Sequence, residues 1–143
     1  MAPPPDRTLW MRQGERRPLY RALGIRPDDI GEGYAQFIVE PTDASADGRG
    51  SVLSFAATTA ADQCILDATV TTLDREREET NGTAEMNLTY LETPSGVLTV
   101  RGEVAGRGRN LSIVDLTVRN GSGVVIAFGR GSYAVRQLDG GRS

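Results

Sequence analysis

Residues 48–62 read GRGSVLSFAATTAAD. Glycine and serine open a run of small and apolar residues, which predicts a helix from about 50 to 70 that is apolar on nearly every side. One stripe differs. Ser51, Ser54, Thr58 and Asp62 follow at spacings of three, four and four, so they share one helical face. A helix of this kind must be covered on most sides, and what covers it decides the fold.

Downstream, residues 83–91, 97–106, 110–119 and 124–136 alternate as strands. Pro94-Ser-Gly, Gly106-Arg-Gly-Arg and Asn120-Gly-Ser-Gly separate them, and such short links predict four consecutive antiparallel neighbours. The intervening LDREREETNG, residues 73–82, reads as a solvated charged loop. Upstream, GYAQFIVE at 33–40 reads as a strand between loops at 26–33 and 41–50. A short helix is expected over 9–23, interrupted by Pro18 and ended by Gly24, after a Pro-rich disordered stretch at 1–8. The expected architecture is α+β, an antiparallel sheet wrapped around one long central helix. Its boundaries are a tail with the start of the short helix at 1–17, one domain at 18–137 and a disordered tail at 138–143.

Net charge of −3 and a pI near 5.0 argue against a nucleic-acid groove or an anionic membrane surface. All 16 basic residues are arginine, and the chain has no histidine. That removes every Ser-His, Cys-His and His-metal arrangement, so no metal is expected. The lone Cys64, among apolar residues, reads as a buried structural thiol. The start MAPPPDRTLW lacks the apolar core of a signal peptide and no apolar run reaches membrane-spanning length, so a cytoplasmic location is expected. The sequons at Asn81, Asn87 and Asn110 then read as chance.

The pieces PLYRALGIRPDDIGEGYAQFIVEP, GSVLSFAATTAAD, MNLTYLETPSGVLTVRGEVAGRGRNLSIVDLTVRN and GVVIAFGRGSY, in this order, resemble the hotdog-fold acyl-CoA thioesterases of the phenylacetyl-CoA (PaaI-like) type. The resemblance spans roughly residues 18–135 and implies a hotdog fold. That family's signature is an asparagine, His-Gly-Gly six residues later, and then a catalytic carboxylate. On this chain Asp43 falls at the asparagine, Arg49-Gly50-Ser51 at His-Gly-Gly and Thr58 at the carboxylate. Thr83 falls where some members place a serine or threonine near the reacting group. Arg107, Gly108, Arg109 and Asn110 fall on the loop that members use near the CoA phosphates.

The resemblance implies two devices for opening a thioester. A helix N-terminus, here around Gly50 and Ser51, polarises the carbonyl with unpaired N–H groups. A carboxylate activates water, or attacks directly. Thr58 cannot be that base, because its hydroxyl has no accessible ionisation. Asp43 from the opposite wall, or Asp62 one turn beyond Thr58 and about 6 Å along the helix, would have to replace it. Arg49, Ser51, Ser54 and Thr83 are further candidate substrate contacts, and Thr58 is expected to line the pocket. The expected function is hydrolysis of an acyl thioester, on CoA or on phosphopantetheine of a carrier protein, without a cofactor. The rival readings are a cyclase or dehydratase of a secondary-metabolite pathway, and a binding protein without catalysis. Hotdog domains usually pair, so a homodimer or homotetramer is expected.

Overall fold

The computed structural model describes residues 6–45 and 51–139, with Ser51 and Val52 described by backbone alone. Helices α1 (Arg7–Glu15) and α2 (Pro18–Leu23) lead into strands β1 (Ile25–Gly31) and β2 (Tyr34–Val39). The 20-residue helix α3 (Ser51–Val70) follows, then β3 (Glu78–Tyr90), β4 (Leu98–Arg107), β5 (Leu111–Arg119) and β6 (Val125–Gln137). The strands form one antiparallel sheet in the order β1-β2-β4-β5-β6-β3.

The sheet curls around α3, as the helix's apolar circumference requires. Leu53, Ala56, Ala57, Ala60, Ala61, Cys64, Ile65 and Ala68 are buried against Phe37, Val39, Val100, Val114, Leu116 and Val118. Each large apolar side chain removed from water here contributes about 1.5–3 kcal/mol. The alanines keep the helix slim, so the strands approach its backbone closely. Among the described side chains of α3, Phe55 and Asp62 are exposed and the others are buried or half-covered.

Four expectations are corrected. Residues 26–33 are not a loop: β1 occupies most of them and turns into β2 through Glu32 and Gly33, whose φ is +78°. Pro27 lacks an N–H to give to a ladder, but β1 is an edge strand with a register shift between Pro27 and Asp29, where proline is tolerated. Second, the short link after β3 does not make β3 and β4 neighbours. Both sides of β4 are occupied, by β2 and β5, and β3 pairs instead with β6 (Leu88 opposite Gly129, Tyr90 opposite Ala127). Third, the ordered chain begins before residue 9. Asp6 caps α1 by accepting from the Leu9 N–H at 3.1 Å.

The break between α1 and α2 falls just before Pro18, where Arg17 takes the extended backbone that proline imposes on its predecessor. Gly24 ends α2 at φ +72°, and a Cβ there would lie 1.8 Å from the Glu40 carbonyl oxygen. β3 likewise starts at Glu78, inside the stretch expected to be a charged loop.

Candidate functional site

The polar stripe of α3 faces the inward side of β3. Alternation along Met86-Asn-Leu-Thr-Tyr turns Met86, Leu88 and Tyr90 toward the helix. Tyr90 donates its hydroxyl to the Ser54 carbonyl at 2.8 Å, and its oxygen lies 3.1 Å from Thr58 Oγ1. One turn further along, Thr83 donates its hydroxyl to Asp62 Oδ1 at 2.8 Å. Ser54, Thr58, Asp62 and Thr83 are therefore brought together in one strip where α3 meets β3. Asp62 is exposed, while Ser54 and Thr58 are half-buried.

Tyr133 belongs to the same strip and was not foreseen. It lies opposite Thr83 in the β3–β6 ladder. Burial pushes its phenol above the ordinary value, and the Asp62 and Asp67 charges add to the shift. Tyr90 joins the strip as well, although no motif marks it. Its signal was the alternation, which puts a phenol at the last inward position of β3, where its hydroxyl needs a partner.

The arginine loop is tied to the protein itself. Arg107 donates to Glu78 at 2.7 Å and to Thr72 Oγ1 at 3.1 Å, and this ion pair is largely sheltered, with side chains 20% and 14% exposed. Burial by itself would raise the Glu78 carboxyl. Hydrogen bonds from the Asp74 N–H, Gln137 and Arg107, with the arginine's charge, outweigh it and hold Glu78 below its ordinary value. Asn110 donates its amide to the Val135 carbonyl at 3.2 Å. The Arg109 carbonyl accepts from Gln137, and Gly108 donates its N–H to Leu111 at 2.8 Å. The Arg109 side chain is exposed.

Asp43 sits in an exposed turn after β2. Its neighbours Thr42 and Ser45 fasten that turn: Thr42 donates to the Ala22 carbonyl at 2.6 Å, and Ser45 Oγ accepts from the Thr42 N–H at 2.8 Å. Arg49 and Gly50 lie outside the described residues, as does the Ser51 side chain.

Away from this strip, Asp67 of α3 is buried beside Trp10 of α1. It accepts from Trp10 Nε1 at 2.8 Å and from Gln63 at 2.9 Å, and burial raises its carboxyl despite both bonds. Trp10 meets Phe37 edge-on, with ring centroids 5.3 Å apart. Cys64 is fully buried and donates to the Val100 carbonyl at 3.6 Å; burial lifts its thiol well above the ordinary range, as a structural thiol requires. Among the described residues no group of three or more histidine, cysteine or acidic side chains converges on a point that could hold a metal ion. No described helix is long and apolar enough to cross a membrane.

The chain matches no protein-family profile and no curated protein. Solved structures do match. A thioesterase-family protein from Silicibacter pomeroyi superposes with a TM-score of 0.75 at 20% identity, over 92% of this chain and 99% of the other. The fold is the hotdog fold of thioesterase-family proteins. The PaaI protein of E. coli, from the phenylacetic acid degradation operon, superposes with a TM-score of 0.72 at 18% identity, over 94% of this chain and 95% of its own. A Streptococcus mutans protein bound to acetyl CoA gives a TM-score of 0.68 at 21% identity, over 79% of this chain and 89% of its own.

Proposed function

We propose that this hotdog protein hydrolyses an acyl thioester, carried by CoA or by the phosphopantetheine of a carrier protein, with Asp62 as the base. The observation that carries this reading is the Thr83–Asp62 hydrogen bond, on the same helical face as Thr58. It holds a solvent-accessible carboxylate one turn from the position where the resemblance puts the family's carboxylate. Asp43 has no comparable attachment to α3 among the described residues. Asp62 stands about 16 Å along α3 from Ser51, so the amides that polarise the carbonyl oxygen are those at the N-terminus of α3 in a second copy of the chain. Water adds to the carbonyl carbon and gives its proton to Asp62; the tetrahedral adduct then breaks its C–S bond, and the proton passes to the leaving sulfur. The products are a carboxylic acid and a free thiol, and no cofactor takes part. The acetyl-CoA-bound neighbour supports a small-molecule thioester as ligand. The 13-residue β3 is an edge strand, which supports pairing of two copies through it.

A free-thiol assay over a panel of acyl-CoAs tests the reading. Asp62→Asn is expected to lower turnover by about 10²-fold or more, as loss of a general base does, while Asp43→Asn leaves it intact. Wild-type rates in Asp62→Asn sink the mechanism. A second reading, binding without catalysis, is favoured by Thr58 standing in place of a carboxylate. Thermal stabilisation by acyl-CoA with no thiol release would select it.

A further inference from the structure

The Thr58–Tyr90–Ser54 contacts impose a proton count. A phenol carries one hydrogen, and Tyr90 places it on the Ser54 carbonyl, which can only accept. For the 3.1 Å Thr58–Tyr90 contact to be a hydrogen bond, Thr58 must therefore be its donor. The Thr58 hydroxyl then has no hydrogen left, and toward the rest of the strip it offers lone pairs alone.

Rotamer choice follows from the same contacts. A helical threonine divides between two χ1 wells because its hydroxyl can bond back to the carbonyl of the preceding turn. For Thr58 that carbonyl belongs to Ser54; it accepts from Tyr90, whose own oxygen offers Thr58 a different acceptor 3.1 Å away. Thr59, next along the helix, shows the alternative: its hydroxyl bonds back to the Phe55 carbonyl at 2.9 Å.

We propose that Tyr90 is a positioning residue of the site: it turns the Thr58 hydroxyl toward β3 and makes it an acceptor only, so that Thr58 holds the attacking water by one of that water's hydrogens. This rests on the hydrolase reading above and deepens it. A water that donates to Thr58 and to Asp62, about one helical turn apart, keeps an oxygen lone pair directed out of the strip toward a thioester carbon. Thr58 thereby places the nucleophile and Asp62 removes its proton, dividing between two residues the work that one carboxylate does when it both holds and deprotonates water. Burial raises the Tyr90 phenol above its ordinary value, so its proton stays in place through neutral pH.

The test combines Tyr90→Phe, Thr58→Val, Thr58→Ser and the Tyr90→Phe/Thr58→Val double variant, each checked for an unchanged fold by thermal melting. With acyl-CoA, Tyr90→Phe and Thr58→Val should each lower kcat about fivefold to tenfold, the weight of one hydrogen bond. KM should stay within about twofold, Thr58→Ser should keep most of the rate, and the double variant should be no slower than Thr58→Val alone. Independently of turnover, the three-bond couplings to Thr58 Cγ2 should report one χ1 well in the wild type and a changed population in Tyr90→Phe. Identical couplings, or effects that multiply in the double variant, overturn the proposal. If the wild type releases no thiol, the hydrolase reading fails, and the couplings alone decide whether Tyr90 sets Thr58.

Discussion

Thr83 reaches from β3 to Asp62 on α3 over 2.8 Å, and Asp62 remains exposed. The bond aims the carboxylate without burying it. Replacing Thr83 by valine keeps the shape and removes the donor. Thiol release should then fall about fivefold, in line with one hydrogen bond, while Thr83→Ser stays near wild type. Equal rates for Thr83→Val and wild type would detach Thr83 from the site.

Asp67 responds to pH in the opposite sense from most carboxylates. Burial raises its folded value, so its stabilising share is complete below the ordinary carboxylate range and is lost as pH rises through that folded value. Asparagine keeps an acceptor for Trp10 without the charge. Asp67→Asn should therefore melt at or above the wild-type temperature at neutral pH, with the difference shrinking in acid. A neutral-pH melt well below wild type would contradict this.

Glu78 carries the reverse sign. Its folded value is lowered, so the stability it contributes is present above the ordinary carboxylate range and is lost as pH falls through the folded value. Arg107→Ala should cost about 1–2 kcal/mol at neutral pH, as removal of one partner of a sheltered pair does. The deficit should close in acid. Denaturant titrations at two pH values separate this from loss of a thioester contact, which would raise KM without moving the midpoint.

Gly131 of β6 faces Ile65 of α3 so closely that an added Cβ would stand 2.1 Å from Ile65 Cδ1. Gly131→Ala should destabilise by about 1–3 kcal/mol. Adding Ile65→Val, which removes that methyl, should recover part of the loss although the valine change alone is destabilising. Additive losses in denaturant titrations would show that the two residues do not compete for the same space.

The central helix and five of the six strands were legible because their apolar periods are strong and loops or glycine turns separate them. Strand β1 was not, since Pro27 and the pair Asp28-Asp29 interrupt the alternation that its register shift repairs. Strand order was misread because a short link limits how far the next strand lies, not which strand it pairs with. Within the site, the stripe Ser54-Thr58-Asp62 could be read from helical spacing. Its partners on β3 needed the topology, because Tyr90 lies 32 residues from Thr58 and Thr83 lies 21 from Asp62. Asp67 was overlooked as one carboxylate in an apolar run. The tryptophan that satisfies it stands 57 residues upstream.

Strand order also bears on how the chain is completed during synthesis. β3 is made mid-chain, yet the one strand it pairs with is β6, the last to be made. Until residues 125–137 have joined β5, neither Thr83 nor Tyr90 has a sheet to hold it against α3. Contacts of such separation form late and slowly. A chain ending before β6 therefore lacks the strand that ties β3, and with it Thr83 and Tyr90, to the rest of the sheet.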